Sequence, residues 1–225
     1  MEEKLRIDEN LKKTLAFYND NAKRYALAWG SQEPLEDDPE KFVKYVNSIE
    51  MITPKQKRIL DAGCGHGRDV KFFIEKGFRA YGIDLSEKLL EIAEKDNPDA
   101  WFYHSDIRDF TCYDDFFHGI WACGSLLHMP KEDLPEALQN LDGIIKPGGI
   151  LYLTTKLGEG ERLEKKEGWG ERFFVYYSRD EILDAVNNKG FKVLEDVVRE
   201  KPNGKWISVF AEASKLSCKA IAPKE

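Results

Sequence analysis

Apolar positions near the start of the chain recur at three- and four-residue steps: Leu11, Leu15, Tyr18, Ala22, Tyr25, Ala26 and Trp29. That is the period of an amphipathic helix, and Gly30 marks its end. An acidic, Pro-bounded loop from Pro34 to Pro39 leads to a second helical pattern on Phe42, Val43, Val46 and Ile49. After Pro54 the period changes. Residues 58–61 read as a short strand running into the loop Gly63-Cys64-Gly65-His66-Gly67, and a helix on Val70, Phe72, Phe73 and Ile74 stops at Gly77. A strand over 79–83 ends in Asp84, and Ser86 caps a helix carrying Leu89, Leu90, Ile92 and Ala93. Strands over 101–104 and 118–123, a helix over 134–145, a turn at Lys146-Pro147-Gly148-Gly149 and a strand over 150–154 continue the alternation.

Strands that alternate with helices build βαβ units, so the pattern predicts an α/β fold with a largely parallel sheet covered on both faces. The last third departs from this. A capped helix over 178–188 is followed by strands over 191–198 and 206–211, joined only by residues 201–205. So short a connection cannot cross over to a parallel neighbour, and the pair must form an antiparallel hairpin. Residues 157–172 hold Gly158, Gly160, Gly168 and Gly170 among many Glu and Lys, without an apolar period, and read as a loop-like lid. The expected organisation is one domain over 1–225: a helical cap (1–53), a three-layer Rossmann-like core (54–213) and a tail (214–225).

Composition narrows the partners. The 225 residues are 42% hydrophobic, which fits a globular domain and excludes a disordered chain. With 34 basic and 41 acidic residues the net charge is −7. The basic clusters are short (Lys12-Lys13; Lys55 with Lys57-Arg58; Lys165-Lys166) and read as solvated surface, so no nucleic-acid partner is expected. Cys64, Cys112, Cys123 and Cys218 form no Cys-x-x-Cys pair, and His66, His104, His118 and His128 do not fall at zinc-ligand spacings, so no metal is expected. Four thiols without a disulfide pattern and a charged start, Met1-Glu2-Glu3-Lys4, suit a cytoplasmic protein. The longest uncharged run, residues 116–130, is shorter than the ~18 residues of a membrane span, so no membrane association is expected.

The candidate chemistry lies at the ends of the first three strands. Asp61-Ala62-Gly63-Cys64-Gly65-His66-Gly67 stands where a doubly wound fold binds its ligand, and its glycines permit a sharp turn and close approach. The dinucleotide fingerprint places glycines at positions one, three and six; counted from Gly63, position six is Arg68 and the third glycine comes one early. A nicotinamide- or flavin-dependent dehydrogenase therefore becomes the lesser alternative. Asp84, 17 residues beyond Gly67, stands where an acid can accept from both ribose hydroxyls of an adenosine. Asp106, after the third strand, could accept from an adenine amino group.

On Asp61–Gly67, Tyr81-Gly82-Ile83-Asp84, Ser105-Asp106-Ile107, the strand over 119–124 and Lys146–Gly149, the sequence resembles the class I S-adenosylmethionine-dependent methyltransferases over roughly residues 15–212. The resemblance implies a seven-stranded sheet with an antiparallel last strand. It places Gly63, Gly65 and Gly67 against the methionine moiety, Asp84 on the ribose, Asp106 and Ile107 at the adenine and Leu85 on its face. It is similar in finer detail to small bacterial and archaeal methyltransferase-domain proteins with Ser-Leu-Leu-His-x-Pro (125–130) and Gly-Glu-Gly-Glu (158–161). In these a leading helix covers the cofactor; Phe17, Tyr18, Ala22 and Tyr25 match its pattern. Cys64 and Cys123 then fall near the cofactor as packing, and Arg68 either meets its carboxylate or pairs with Asp69.

Methyl transfer asks the protein mainly for alignment and a dry pocket. His128, just after the fourth strand, is the candidate general base. Trp29, Arg172, Tyr176 and Tyr177, with Tyr18 and Tyr25, are candidates to line the acceptor pocket. The expected acceptor is a small molecule. A cofactor-binding protein without catalysis and an enzyme acting on a protein are the alternatives. The fourth strand is not followed by the Asn/Asp-Pro-Pro-aromatic sequence of nucleic-acid amino methylation.

Overall fold

The computed structural model describes residues 8–29, 37–50 and 56–214. Seven helices and nine strands lie among the described residues: α1 (Glu9–Asp20), α2 (Ala22–Trp29), α3 (Asp38–Ser48), β1 (Arg58–Ala62), α4 (Arg68–Glu75), β2 (Arg79–Asp84), α5 (Glu87–Asp96), β3 (Trp101–His104), β4 (Phe117–Cys123), α6 (Leu134–Ile144), β5 (Ile145–Leu157), β6 (Glu161–Lys166), β7 (Gly170–Tyr177), α7 (Arg179–Asn187), β8 (Phe191–Lys201) and β9 (Gly204–Ala213). The sheet runs β3-β2-β1-β4-β5 in parallel and continues through β9, antiparallel to β5, to β8. This is the α/β Rossmann-like sheet with a terminal hairpin that the sequence predicts. The hairpin pairs Lys201 with Gly204 across the two-residue turn Pro202-Asn203.

Two apolar layers cover the two faces. One packs Leu60, Ile83, Ile120 and Leu151 against Leu138 and Leu141 of α6 and Ile182 and Val186 of α7. The other packs Ile59, Trp121, Tyr152 and Phe210 against Phe42 and Val46 of α3 and Phe73 of α4. Helix α3 comes close because β4 carries Gly119: a Cβ there would meet Phe42 Cζ at 2.7 Å and Val46 Cγ2 at 2.8 Å. Asp38, fully buried at the first turn of α3, accepts from both terminal nitrogens of Arg199 (2.6 and 3.0 Å) and from the Tyr152 hydroxyl (2.9 Å), tying the helix to β8 and β5.

Two elements differ from the sequence reading. The predicted single helix to Trp29 breaks at Asn21, whose side-chain amide donates to Phe17 O (2.7 Å) and Trp169 O (2.8 Å). Gly30 lies outside the described residues. The stretch 157–172 is no loop: it forms β6, the turn 167–169 and the first half of β7, paired from Glu161↔Val175 to Lys166↔Gly170. β4 pairs with β5 only as far as Thr154, and Tyr176 and Tyr177 take up the next places on β5, opposite Lys156 and Leu157. The extra hairpin therefore extends the sheet where β4 stops.

Candidate cofactor and acceptor site

The carboxyl ends of β1, β2 and β4 face a cleft roofed by α1, with about 820 Å³ of space that is partly open to solvent. Its floor is the glycine loop. Gly63 N and Cys64 N both donate to Ile83 O (2.8 and 3.0 Å), which folds the loop back over β2. Gly63, Gly65 and Gly67 all hold positive φ (+88°, +53° and +80°), a region costly for residues with a Cβ. They differ in surroundings. A Cβ on Gly63 would lie 2.2 Å from Ser125 Cβ, and one on Gly67 within 3.0 Å of Asn97 and Ala93. At Gly65 the nearest atom is 3.8 Å away, and this glycine faces the cleft. Ser125 Oγ, buried at the cleft beside Gly63, has no hydrogen-bond partner among the described residues.

Asp84 ends β2 at the same floor. One carboxylate oxygen accepts from Gly65 N and the other from Ser86 N, each at 2.8 Å. Burial raises its pKa against these backbone bonds. An ionised carboxylate has about four lone-pair sites, so both oxygens keep capacity for a ligand. Leu85 and Ile107 line the cleft beyond it. Asp106 lines it too, but one of its oxygens takes Arg108 N and Nε (2.8 and 3.0 Å) and the other takes Arg108 Nη2 (2.5 Å). The expected free acceptor for an adenine amino group is thus largely committed to Arg108, which also pairs with Asp133 and lines the cleft. Arg108, two residues from an acid, gave no separate signal in the sequence.

At the α1 end, His128 Nδ1 lies 2.6 Å from Phe173 O and Nε2 lies 2.9 Å from the Tyr18 hydroxyl. A carbonyl only accepts, so Nδ1 carries the proton and Nε2 accepts from Tyr18. Arg172 Nη1 donates to the same hydroxyl at 3.2 Å. Burial pushes His128 down to about 3; Arg172 and Lys156 push the same way, against the bond to Phe173. Burial also raises Tyr18 and Tyr25, whose rings meet edge to face at 5.2 Å.

The structure gathers Tyr18, Tyr25, Gly63, Gly65, Asp84, Leu85, and likewise Asp106, Ile107, Cys123 and His128, around one cleft. Other expected residues lie outside its lining. Asp61 is buried beneath the loop, its pKa raised by burial and by Asp69. Gly67 packs on α5. Arg68 makes a two-pronged pair with Asp69 (2.7 and 3.0 Å), which also accepts from Trp121 Nε1. Trp29 stands 6.0 Å from Tyr25, ring to ring, at the end of α2. Tyr176 turns to Glu164 and Lys156, its hydroxyl pushed up to about 12, and Tyr177 is buried behind. Arg172 reaches the cleft only through Tyr18. Leu11, Thr14 and Leu15 of α1, unmarked by any motif, complete the roof.

Residues 59–149 match the family described as methyltransferase domain. The chain is 30% identical over 148 residues to the ubiquinone biosynthesis O-methyltransferase of Coxiella burnetii, covering 64% of this chain and 62% of that one. Several curated relatives are spanned over only 42% to 62% of their length. Among solved structures, the 1,6-didemethyltoxoflavin-N1-methyltransferase of Burkholderia thailandensis, bound to its acceptor and S-adenosylhomocysteine, aligns at TM-score 0.71 with 14% identity, over 94% of this chain and 93% of that one. The magnesium protoporphyrin IX methyltransferase of Synechocystis with bound S-adenosylmethionine aligns at 0.68 with 15% identity, over 94% and 100%. Residues 59–149 thus match a methyltransferase domain, and the fold of the chain is the one these solved methyltransferases share.

Proposed function

We propose that the chain transfers a methyl group from S-adenosylmethionine to a small-molecule acceptor. The observation that carries this reading is Asp84, at the carboxyl end of β2, bonded to Gly65 N of a left-handed glycine loop at the floor of one cleft. The cleft fits that cofactor: Gly65 leaves open space where a side chain would stand, and Ser125 offers a buried hydroxyl without a partner among the described residues. The backbone of Gly63 and Gly65 with Ser125 would hold the methionine end, Asp84 the ribose, and Leu85 and Ile107 the adenine. When bound, the cofactor supplies a methyl group activated on a sulfonium centre.

The protein's own work is alignment and exclusion of water. α1 closes the cleft, and the β6–β7 hairpin fixes α1: Phe173 N donates to Thr14 Oγ1 (2.9 Å), Asn21 bonds Trp169 O, and Lys13 pairs with Glu171 (3.1 Å). The hairpin acts as a brace for the roof, so the lid role read from 157–172 passes to α1. A cleft roofed by a helix suits a small acceptor better than a protein chain. Relatives named for oxygen and for nitrogen methylation leave the acceptor atom open. The test is mass-spectrometric detection of S-adenosylhomocysteine formed with a panel of small acids, phenols, amines and thiols. Acceptor-dependent product that is lost in Asp84→Ala supports the reading; none from any acceptor, with cofactor bound, favours a binding protein.

A further inference from the structure

Neighbouring residues of α1 tie it to the ends of two different strands. Tyr18, in the roof of the cleft, bonds His128 beyond β4. Asn19 bonds Ser86 beyond β2: its Oδ1 accepts from Ser86 Oγ at 2.7 Å and stands 3.4 Å from Lys88 N, in the first turn of α5. Lys88 N can only donate, so the atom facing it is the amide oxygen, and the proton between the two side chains belongs to Ser86. Ser86 is buried, at 1% exposure, and no motif marks Asn19 in the sequence.

Ser86 also holds Asp84. Its backbone N–H donates to one Asp84 oxygen while Gly65 N takes the other, each at 2.8 Å, so the two bonds together set the plane of the carboxylate. Its Oγ accepts from Leu89 N (3.2 Å), which caps α5, and Leu89 lines the cleft. Ser86 thereby joins three parts: the carboxylate read above as the ribose acceptor, the wall helix α5 and, through Asn19, the roof. Among the described residues, Asn19 makes the hydrogen bonds that join α1 to this wall. On the opposite side α1 rests on the β6–β7 hairpin through Thr14 and Asn21.

We propose that Asn19 is a positioning residue for the cofactor: it latches the roof to the wall that carries Asp84, so that release of a bound cofactor waits on the opening of the Asn19–Ser86 bond. Asn19 stands outside the lining of the cleft and acts through Ser86. Elements that close over a ligand set its release rate in this way without touching it. The latch is costly to open because the Ser86 hydroxyl is buried, and parting from Asn19 leaves its proton without an acceptor. The proposal rests on the methyltransferase reading above.

The experiment measures association and dissociation of S-adenosylhomocysteine by surface plasmon resonance on immobilised protein, for wild type, Asn19→Ala, Ser86→Gly and the double variant. Ala favours a helix more than Asn does, and Gly starts a helix nearly as well as Ser while keeping the backbone N–H for Asp84. Asn19→Ala should raise the dissociation rate by about fivefold or more, the size of one hydrogen bond. Its association rate should stay within about twofold of wild type, and the melting temperature of the free protein within about 2 °C. Ser86→Gly should release the ligand at least as fast as Asn19→Ala, and adding Asn19→Ala to it should change the rate by less than about twofold, since both remove one bond. Should Asn19→Ala fail to fold, Asn19→Gln, which moves the amide oxygen by one methylene, takes its place, as Ser86→Ala does for Ser86→Gly. A dissociation rate unchanged by loss of Asn19, a loss confined to association or to melting temperature, or effects that multiply in the double variant overturns the proposal. Failure of wild type to bind S-adenosylhomocysteine at all would be a different outcome, ending the methyltransferase reading and the latch with it.

Discussion

The Tyr18 hydroxyl lies 2.9 Å from Nε2 of His128, and the opposite imidazole nitrogen lies 2.6 Å from the Phe173 carbonyl. Two elements 110 residues apart in sequence thereby fix one tautomer. In a long-range ¹⁵N–¹H spectrum the account expects His128 protonated on Nδ1 and bare on Nε2 across pH 5 to 8. An Nε2–H tautomer would contradict the assignment of donor and acceptor. Tyr18→Phe should keep the tautomer, because the Phe173 carbonyl sets it, at a cost of about 1–3 kcal/mol for leaving Nε2 unpaired.

His128 should make the protein acid-sensitive. Its folded pKa, about 3, lies below the ordinary value near 6.5. Between those limits the unfolded chain binds more protons than the folded one, so stability is present above pH ~6.5 and is lost as pH falls toward 3. Denaturant unfolding followed over that window should show a loss that His128→Gln flattens. A variant with the same pH slope as wild type would remove His128 as the source.

The fold was legible where local pattern and tertiary structure agree. Asp84 and Asp106 stood out because each follows an apolar strand, and Ser86 and Ser178 cap helices as their spacing suggests. What was hidden depends on partners distant in sequence. Asn21 breaks the first helix by reaching Trp169, 148 residues on. Residues 161–166 offer only Leu163 as an apolar position, and their strand forms because Phe173, Phe174 and Val175 lie opposite. Tyr176 looked like an acceptor contact, but the strand it extends aims its hydroxyl at Glu164 and Lys156.

Two glycines of the loop, Gly65 and Gly67, should separate in experiment. Gly65→Ala places a methyl group toward the cleft with no clash nearer than 3.8 Å. It should lower S-adenosylhomocysteine affinity at least tenfold while costing about 1–2 kcal/mol of stability through its left-handed φ. Gly67→Ala meets Asn97 and Ala93 and should cost stability first. Equal melting temperatures with unequal affinities, or the reverse order of effects, would refute this division.

Asp38 offers a control far from the chemistry. Removing one partner of a buried pair costs about 3–5 kcal/mol, so Asp38→Ala should lower the unfolding midpoint sharply. Where the variant remains folded, its affinity for S-adenosylhomocysteine should equal that of wild type, since neither Asp38 nor Arg199 lines the cleft. A binding defect at full foldedness would mean that α3 shapes the site.

The central claim is that the cleft floored by Asp84 and the glycine loop binds the cofactor. Calorimetric titration of S-adenosylhomocysteine into wild type and Asp84→Ala, with NADH as the competing ligand class, tests it most directly. The account predicts one site of micromolar affinity in wild type, at least a tenfold loss in Asp84→Ala and no heat from NADH. Absence of S-adenosylhomocysteine binding to the wild-type protein, or an affinity unchanged by Asp84→Ala, would contradict it.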